Sequence, residues 1–413
     1  MSAGLGFKNF LTGDVLTAAD TNGYLMQGTW VFATAAARDA AVTSPQEGNM
    51  CFLKDTDALQ YYSGSAWTAV DTTGTSSAQV AGKNAVINGD FLINQRAFTS
   101  NTTTGSYNFD RWLQQNSGGS FTVTPQTFTP GAAPIATYEG RTFVQGITAT
   151  QSAAGDYAII TQRIEDVTRY AGTTVTISFF AKANTGTPKI GVEVKQNFGS
   201  GGSPSATVSI PAGASTLTTS FARYSVSVAI PSISGKTLGT TANTSYLELN
   251  LWTSAGATYA TPASSIGIQN FTASIWGVQL EYASAATYFT TATGTLPGEL
   301  AACQRYYYRI GNSGVAYVSF SMAVANSTTQ ASTVIQHPVA MRIAPTTLDF
   351  SNIAFENYLG SQYTLSSVVI SSATTSTITS RVQGTISGAT AGHGGYYNAQ
   401  NSTSGFMAVS AEL

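Results

Sequence analysis

The chain contains two histidines, the residue type used most often for metal binding and proton transfer. His337 and His393 are the only ones among 413 residues, and neither has a second histidine, cysteine or carboxylate at the spacing of a zinc site. No Gly-x-Ser-x-Gly motif accompanies them, and neither cysteine has a recognisable base motif nearby. The sequence therefore predicts neither catalytic zinc nor acyl transfer.

Two further patterns, an acidic pair and a possible phosphate-binding loop, are interpreted as turns. Glu165 and Asp166 are adjacent, so in a strand they point to opposite faces, whereas glycoside hydrolysis needs two carboxyl groups that flank one bond. Gly235-Lys236-Thr237 resembles the end of a phosphate-binding loop, but Ile230 occupies the position that requires glycine. We expect a protein that is not an enzyme.

The composition is typical of a protein built from many strands and turns. Charged residues make up 9% of the chain, against about 25% in an ordinary domain, while hydrophobic residues reach 43% and glycines number 40. A net charge of −2 gives no positive field for nucleic acid, so no nucleic-acid partner is expected. Few charged side chains are available to block strand edges, and this favours self-association.

Residues 1–70 are predicted to form a small α+β unit. Thr17 and Asp20 form a capping-box-like start, and Thr34 precedes a second short helical segment. The segment NMCFLKDTDALQYYSGSAWTAV then contains three short apolar runs separated by turn residues, which predicts a β-meander. Residues 71–83 are small and polar and are predicted to be a linker.

The rest of the chain is predicted to be mainly β. Residues 84–295 contain many short alternating segments separated by glycine, proline, serine and asparagine, which favours one antiparallel β-sandwich. Thr295 and Pro297 begin a helical pattern, so residues 296–310 are predicted to be a connecting helix. Residues 311–413 alternate again and are predicted to form a smaller β-rich domain.

The cysteines and the N-terminus suggest synthesis in a reducing cytosol. Cys51 and Cys303 are the only cysteines, and we expect two free, buried thiols instead of a bridge. The first residues do not read as a basic segment followed by an apolar one, so no secretion signal is expected. No run of about 18 apolar residues occurs, so no membrane insertion is expected.

Six phrases in the middle of the chain occur in the order found in one known family. They are NGDF from Asn88, NFDRW from Asn108, QRIEDV from Gln162, GTTVTISFFAK from Gly172, WGVQLE from Trp276 and CQRYY from Cys303. Over residues 84–310 the chain resembles the carbohydrate-binding-module-like jelly roll of bacteriophage tail fibre and receptor-binding proteins. The resemblance implies a jelly-roll sandwich and a host-surface glycan as partner.

The first 70 residues resemble the attachment end of minor tail proteins from phages of actinobacteria. The similar phrases are TGDVLTAADTNGYLMQ, VFATAAARDAAV and EGNMCFLKDTDALQYYSGSAW. This resemblance implies that residues 1–70 join other phage tail proteins and that the mature protein resides in the virion tail. In the last hundred residues only PVAMRIAPTTLDF resembles the family, and we expect a distal domain there.

The jelly-roll resemblance suggests two sets of site residues. Glycan-binding jelly rolls carry a structural calcium between their first and last strands, which would place Asp90 and Glu281 as ligands. The alternative is that both carboxylates accept hydrogen bonds from backbone or arginine groups. Trp252, Tyr246 and Tyr259 are candidates for stacking on sugar rings. Trp112 and Trp276 lie within strand motifs of the family and are expected in the core. Phe179 is expected there too, because alternation places it on the face opposite Phe180.

A third candidate site lies in the predicted distal domain. Residues 392–397, GHGGYY, combine glycine with His393, Tyr396 and Tyr397, a composition typical of adaptable binding loops. We expect this loop to contact the host.

The resulting hypothesis is a homotrimeric tail protein that recognises the host by multivalent, non-covalent binding. The trimer is expected to associate through the N-terminal region, including Leu25 and Met26, and along the sides of the sandwiches. The alternatives are a purely architectural tail or baseplate subunit and, less favoured, a glycan-degrading tailspike.

Overall fold

The computed structural model describes residues 11–21, 28–70, 81–135, 138–311, 314–371 and 375–413. The chain divides into two compact units, Met1–Ala78 and Gln79–Leu413. Strands dominate both units, so the mainly β fold class is confirmed.

Two short helices in the first unit begin at the predicted caps. Helix α1 spans Ala18–Asp20, where the Thr17 hydroxyl accepts from the Asp20 amide and the Asp20 carboxylate accepts from the Thr17 amide. Helix α2 spans Ala35–Ala41, and the Thr34 hydroxyl accepts from an amide of its first turn. Both caps satisfy amides that a helix start leaves without a partner.

The same unit contains one four-stranded sheet. Its strands are β1 Trp30–Phe32, β2 Met50–Leu53, β3 Ala58–Tyr62 and β4 Trp67–Ala69, in the order β1-β2-β3-β4. Strands β2 to β4 form the predicted meander, and β1 adds to it in parallel. Leu25 and Met26, which we expect at the trimer seam, lie outside the described residues.

The second unit begins with a sandwich of two antiparallel sheets. The cleft sheet consists of β5 Trp112–Ser117, β8 Tyr157–Glu165, β10 Lys189–Asn197, β11 Val208–Thr216 and β13 Tyr246–Ala255. The back sheet consists of β6 Ser120–Thr127, β7 Thr142–Ala149, β9 Thr174–Ala183, β12 Ala222–Ala229 and β14 Thr272–Glu281. Their orders are β11-β10-β13-β8-β5 and β12-β9-β14-β7-β6.

Strand alternation decides which large side chains fill the space between the sheets. Trp112 and Phe179 are buried in the central cluster between the sheets, as predicted. Phe180, the next residue, points to the other face of the back sheet and packs with Trp276 in a second buried cluster. The predicted burial of Trp276 is therefore confirmed, but this ring lies outside the space between the two sheets.

Two of the sequence motifs shared with the resembling family, NGDF and NFDRW, contact each other directly before β5. The Asn88 side chain donates to the Asp110 carbonyl over 3.0 Å, and the Trp112 indole donates to the Asn88 carbonyl over 2.8 Å. A Cβ atom on Gly89 would lie 2.1 Å from the Val278 carbonyl oxygen, so only glycine fits there. The two segments therefore pack against each other and against β14.

Helix α3, Leu296–Gln304, follows the sandwich and is shorter than predicted. Thr295 caps it and Pro297 lies in its first turn, both as expected. The predicted helix 296–310 is wrong beyond residue 304, because Tyr307–Gly311 forms strand β15. Aromatic and β-branched residues suit a strand, and a neighbouring sheet is present to pair with them. Across the described parts of the chain, no helix is long and apolar enough to cross a membrane.

The C-terminal β-domain has two sheets around its own core. A three-stranded sheet, in the order β15-β24-β18, contains β18 Thr347–Ser351 and β24 Phe406–Ser410. The wide sheet, in the order β20-β19-β23-β16-β17-β22-β21, contains β16 Ser319–Ala325, β17 Gln330–Gln336, β19 Ala354–Asn357, β20 Gln362–Thr364, β21 Ser367–Ile370, β22 Thr379–Thr385 and β23 Gly394–Asn398. Phe355, Val382, Tyr397 and Met407 are central to the core between them.

A buried arginine joins this domain to the sandwich. The Arg111 guanidinium pairs with the Glu412 carboxylate, donates to the Arg163 carbonyl over 2.6 Å and lies 3.4 Å from the centre of the Tyr306 ring. Only 1% of Arg111 is exposed. Removing one partner of a buried charge costs several kcal/mol, so the two domains depend on each other at this junction.

Both cysteines are buried and free, as predicted. Burial raises the pKa of the Cys303 thiol well above its usual value, which keeps this thiol protonated and unreactive.

The junction also predicts a pH dependence of stability. Asp110 is fully buried, and burial raises its pKa to about 6, although Arg96, 3.7 Å away, and Gln95 oppose the shift. A raised carboxyl pKa means that the folded protein holds the proton longer than the unfolded chain, so stability falls as the pH rises through about 4 to 6. Relative to Asp110→Asn, the wild type should lose about 3 kcal/mol of unfolding free energy between pH 3 and 7.

Denaturant unfolding at several pH values measures this difference, and Asp156→Asn is the matched control. Backbone hydrogen bonds from Ala153 and Ser152 lower the pKa of Asp156, so the wild type should gain stability over that variant as the pH rises. A difference between the wild type and Asp110→Asn that stays constant with pH would contradict the assignment.

Candidate functional site

The outer face of the cleft sheet carries a row of polar and aromatic side chains. Along β13, leucines 247, 249 and 251 point into the core, and the alternate residues Tyr246, Glu248, Asn250 and Trp252 point outward. At about 3.3 Å per residue the row is about 20 Å long. Strands β8 and β10 flank β13 and extend the row sideways.

The Glu193 carboxylate of β10 organises one end of this face. It is 0% exposed and accepts hydrogen bonds from the Asn250 amide at 3.0 Å, the Trp252 indole at 3.0 Å and the Ser209 hydroxyl at 2.5 Å. A buried charge of this kind is tolerated because several donors surround it. These bonds fix the carboxylate, the amide and the indole relative to one another.

A cleft of about 250 Å³ opens beside Glu193. Its lining consists of Gln115, Tyr157, Ile159, Glu193, Lys195, Ser209, Trp252, Tyr259 and Pro262. The half-buried rings of Tyr157 and Tyr259 form an edge contact with their centres 4.7 Å apart, and Trp252 lies behind them, 5.7 Å from Tyr259. Burial, together with Tyr259, raises the pKa of Tyr157, so its hydroxyl remains a donor at neutral pH.

A tight turn after β13 brings Tyr259 over the sheet. Gly256 precedes a short 3-10 turn at Ala257–Tyr259, and its amide donates to the Asp156 carbonyl over 2.7 Å. A Cβ atom on Gly256 would lie 2.4 Å from the Ala154 carbonyl oxygen. Glycine at this position therefore allows the turn to pack against the loop before β8 and to carry Tyr259 towards Tyr157.

The middle of the face is charged but balanced. Glu248 lies 3.1 Å from the Arg163 guanidinium and 3.4 Å from the Lys195 ammonium group. Asn250 also donates to Glu248 over 3.1 Å and accepts from the Thr161 hydroxyl over 2.7 Å. Donors and acceptors thus alternate along the face in fixed positions.

The structure brings two of the three predicted sandwich residues together. Trp252 and Tyr259 both line the cleft, but only 2% of Trp252 is exposed, so its predicted role as an open stacking platform is corrected to that of a buried floor. Tyr246 lies on the same face at the other end of the row. There its hydroxyl accepts from the Asn197 amide over 3.2 Å and its ring lies beside Arg163.

Among the cleft residues that the sequence did not identify, Tyr157, Glu193 and Lys195 contribute the aromatic and charged groups. A signal was present in β10, where Ile190, Val192 and Val194 alternate with Gly191, Glu193 and Lys195. That pattern marks a strand with one apolar and one charged face. The sequence alone does not state that the polar face of β10 adjoins that of β13.

Asp90 and Glu281 each have hydrogen-bond partners of their own. Asp90 accepts from the Tyr138 hydroxyl over 2.6 Å, and burial raises its pKa. Glu281 accepts from the amide and hydroxyl of Thr287 and lies 3.7 Å from the Lys83 ammonium group. Within the described residues, no group of three or more histidine, cysteine or acidic side chains could hold a metal.

The predicted distal loop is mostly strand β23, and its aromatic residues separate. Tyr397 is 0% exposed and donates to the Ala331 carbonyl, so its prediction as a host contact is wrong. Tyr396, its neighbour on the opposite face, is partly exposed and donates to Glu356 over 2.8 Å. His393 is also partly exposed and packs edge-on against Tyr358.

Comparison with known proteins finds structural similarity only. No protein-family model and no curated protein matches the chain. The enzymatically active domain of bacteriophage CBA120 tailspike protein 4 is similar over 49% of this chain and 22% of its own, with 16% identity and a TM-score of 0.27.

Two carbohydrate-binding domains are similar over nearly their whole length. The CBM22-2 xylan-binding domain from Paenibacillus barcinonensis Xyn10C covers 44% of this chain and 98% of its own, with 14% identity and a TM-score of 0.27. The N-terminal cellulose-binding domain of Cellulomonas fimi β-1,4-glucanase C covers 42% and 90%, with 12% identity and a TM-score of 0.26. At these identities the similarity concerns the fold alone.

Proposed function

We propose that this chain is a structural protein of a phage tail that binds a host-surface glycan, without cleaving it, in the cleft beside Glu193. The observation that carries the proposal is the pair of partly exposed rings, Tyr157 and Tyr259, next to a carboxylate that three donors hold in place. The phage setting rests on the ordered phrases in residues 84–310 and on the N-terminal phrases.

A sugar ring has an apolar C–H face and a rim of hydroxyl groups. The rings of Tyr157 and Tyr259 match the face, because aromatic surfaces pack well against apolar C–H groups. Lys195 and the Tyr157 hydroxyl, which line the same cleft, match the rim as hydrogen-bonding groups. The fully buried Glu193 carboxylate instead fixes the Trp252 indole in the floor of the cleft. Ligand pockets for larger molecules measure about 300–1,000 Å³, so this cleft of about 250 Å³ holds one ring of a longer chain.

The rest of the outer face can extend the contact. The partly exposed side chains of Arg163 and Tyr246 continue from the cleft along the sheet. The buried carboxylate of Glu248, which also accepts from Asn250, holds Arg163 in place. A fixed surface loses little side-chain entropy on binding. A polysaccharide chain of several sugars lies along such a row with one ring anchored in the cleft.

Weak binding by one cleft is sufficient in a multivalent particle. We propose a homotrimer that is joined to other tail proteins through residues 1–70 and that resides in the virion tail. Several clefts on one rigid body raise the effective concentration of each remaining cleft after the first contact. Individual affinities near millimolar are therefore compatible with firm adsorption.

Cleavage of the glycan is the second candidate, and one observation favours it. The Asn250 amide donates to both Glu193 and Glu248, over 3.0 and 3.1 Å, so two carboxylates flank a single side chain on the outer face of the sheet. Paired carboxylates are the machinery of glycoside hydrolysis. However, Glu193 is fully buried and Glu248 is neutralised by two cations, so we favour binding. New reducing ends after incubation of the protein with host-wall glycan would contradict binding without cleavage.

Loss of the ring surface should weaken glycan binding. Isothermal titration with cellohexaose, xylohexaose and chitohexaose should detect millimolar binding of at least one sugar. Tyr259→Ala and Tyr157→Ala should each weaken that binding about tenfold, since stacked rings contribute roughly 1–1.5 kcal/mol. The matched control is Tyr282→Ala, which removes an exposed tyrosine just beyond β14 of the back sheet. Equal weakening by the control, or no binding of any sugar, would contradict the proposed site.

In assembled particles, cleft and N-terminal changes should act on different steps. Tyr259→Ala particles should form normally and adsorb less, whereas removal of residues 1–70 should prevent incorporation of the protein. Electron microscopy and an adsorption assay measure the two steps. Deletion of the C-terminal domain is a poor test, because it would leave Arg111 buried without Glu412. Normal adsorption of the Tyr259→Ala particles would count against the cleft.

A further inference from the structure

The outer face of the wide sheet in the C-terminal domain is unusually apolar for an exposed surface. Met322 is 87% exposed, and Val324, Val334 and Val369 are exposed beside it. A groove of about 710 Å³ runs along this face, and its lining includes Met322, Val324, Val334 and Arg381. Contiguous exposed apolar surface of this kind marks an interaction site.

The charges on this sheet lie at opposite margins of the apolar strip. The seven strands contain one acidic residue, Glu356 in β19, and one basic residue, Arg381 in β22. Strand register places both on the face that carries Met322. Glu356 is opposite Tyr396, Tyr396 is opposite Met322, and Val334 is opposite Arg381.

The two charges are too far apart to pair within one chain. Strands β19 and β22 are four positions apart in the sheet order. At about 4.8 Å per strand the separation is about 19 Å. The Glu356 carboxylate stays charged because Gln362, Tyr396 and Asn398 donate to it, which lowers its pKa.

We propose that this face packs against the same face of further copies of this chain, with the acidic margin of one copy against the basic margin of the next. The apolar strip is then covered by its own equivalent, and Glu356 meets Arg381 of the neighbouring copy. Such a margin-to-margin contact is self-complementary, as closed assemblies of identical subunits require. A partner with a uniform charge would match one margin and oppose the other.

This inference deepens the proposed self-association by naming its surface, and it does not depend on glycan binding. It adds a contact in the C-terminal domain to those that the sequence predicts at the N-terminal region and along the sides of the sandwiches. The exposed apolar strip lies in the C-terminal domain. Tyr396, which the sequence predicts as a host contact, lies at the assembly surface in this proposal, where its hydroxyl donates to Glu356 at the acidic margin.

Reversal of the two charges in the full-length protein tests the contact. Sedimentation equilibrium and light scattering at micromolar concentration should give a multiple of the chain mass for the wild type. Arg381→Glu and Glu356→Lys should each weaken association at least tenfold, because like charges then meet at the margins. The double variant, Glu356→Lys with Arg381→Glu, should restore association. The two sites are about 19 Å apart within one chain, so this rescue requires a contact between copies.

Two further variants separate a lost contact from lost folding. Met322→Lys should weaken association while leaving the melting temperature of the chain unchanged, since that side chain is almost fully exposed. Lys189→Glu reverses an exposed charge at the start of β10 in the sandwich and should not change the mass. If the charge reversals on the wide sheet leave the mass of the assembly unchanged, the proposed surface is wrong, although self-association itself is not contradicted. A monomeric wild type would overturn both.

Discussion

The structure of the cleft depends on the placement of one carboxylate outside the core. Glu193 lies on the outer face of β10, fully buried and surrounded by Ser209, Asn250 and Trp252. Without the charge, these three donors would point at one another with no common acceptor, and a buried donor without a partner costs about 1–3 kcal/mol. The carboxylate thus fixes a polar surface where strand alternation alone would leave mobile side chains.

The arginine junction has the corresponding role for the C-terminal domain. Arg111 directly precedes Trp112 of the sandwich core in the motif NFDRW. Its guanidinium lies against Glu412 and Tyr306, which both follow the sandwich in the chain. A buried guanidinium accepts few alternative partners because its donors are fixed in a plane. The sandwich and the C-terminal domain therefore have a defined mutual orientation.

The sequence predicts the elements better than it predicts their neighbours. Alternation identifies β13 and correctly places Phe179 in the core, because a period of two depends only on adjacent residues. It assigns Tyr396 and Tyr397 to a flexible loop, since the glycines before them resemble a turn, although both belong to a strand. It extends α3 past Gln304 because the pairing of Tyr307–Gly311 with β24 is a long-range contact. Glu193 was missed for the same reason: its partners Asn250 and Trp252 are 57 and 59 residues away in the sequence.

A crystal structure of the full-length protein with bound hexasaccharide is the most direct measurement of the central claim. We predict one sugar ring packed against Tyr157 and Tyr259, with a hydroxyl group within hydrogen-bond distance of Lys195. We also predict that the following sugars run along the outer face of the cleft sheet towards Tyr246. A sugar bound at another surface, with this cleft free of sugar, would contradict the account.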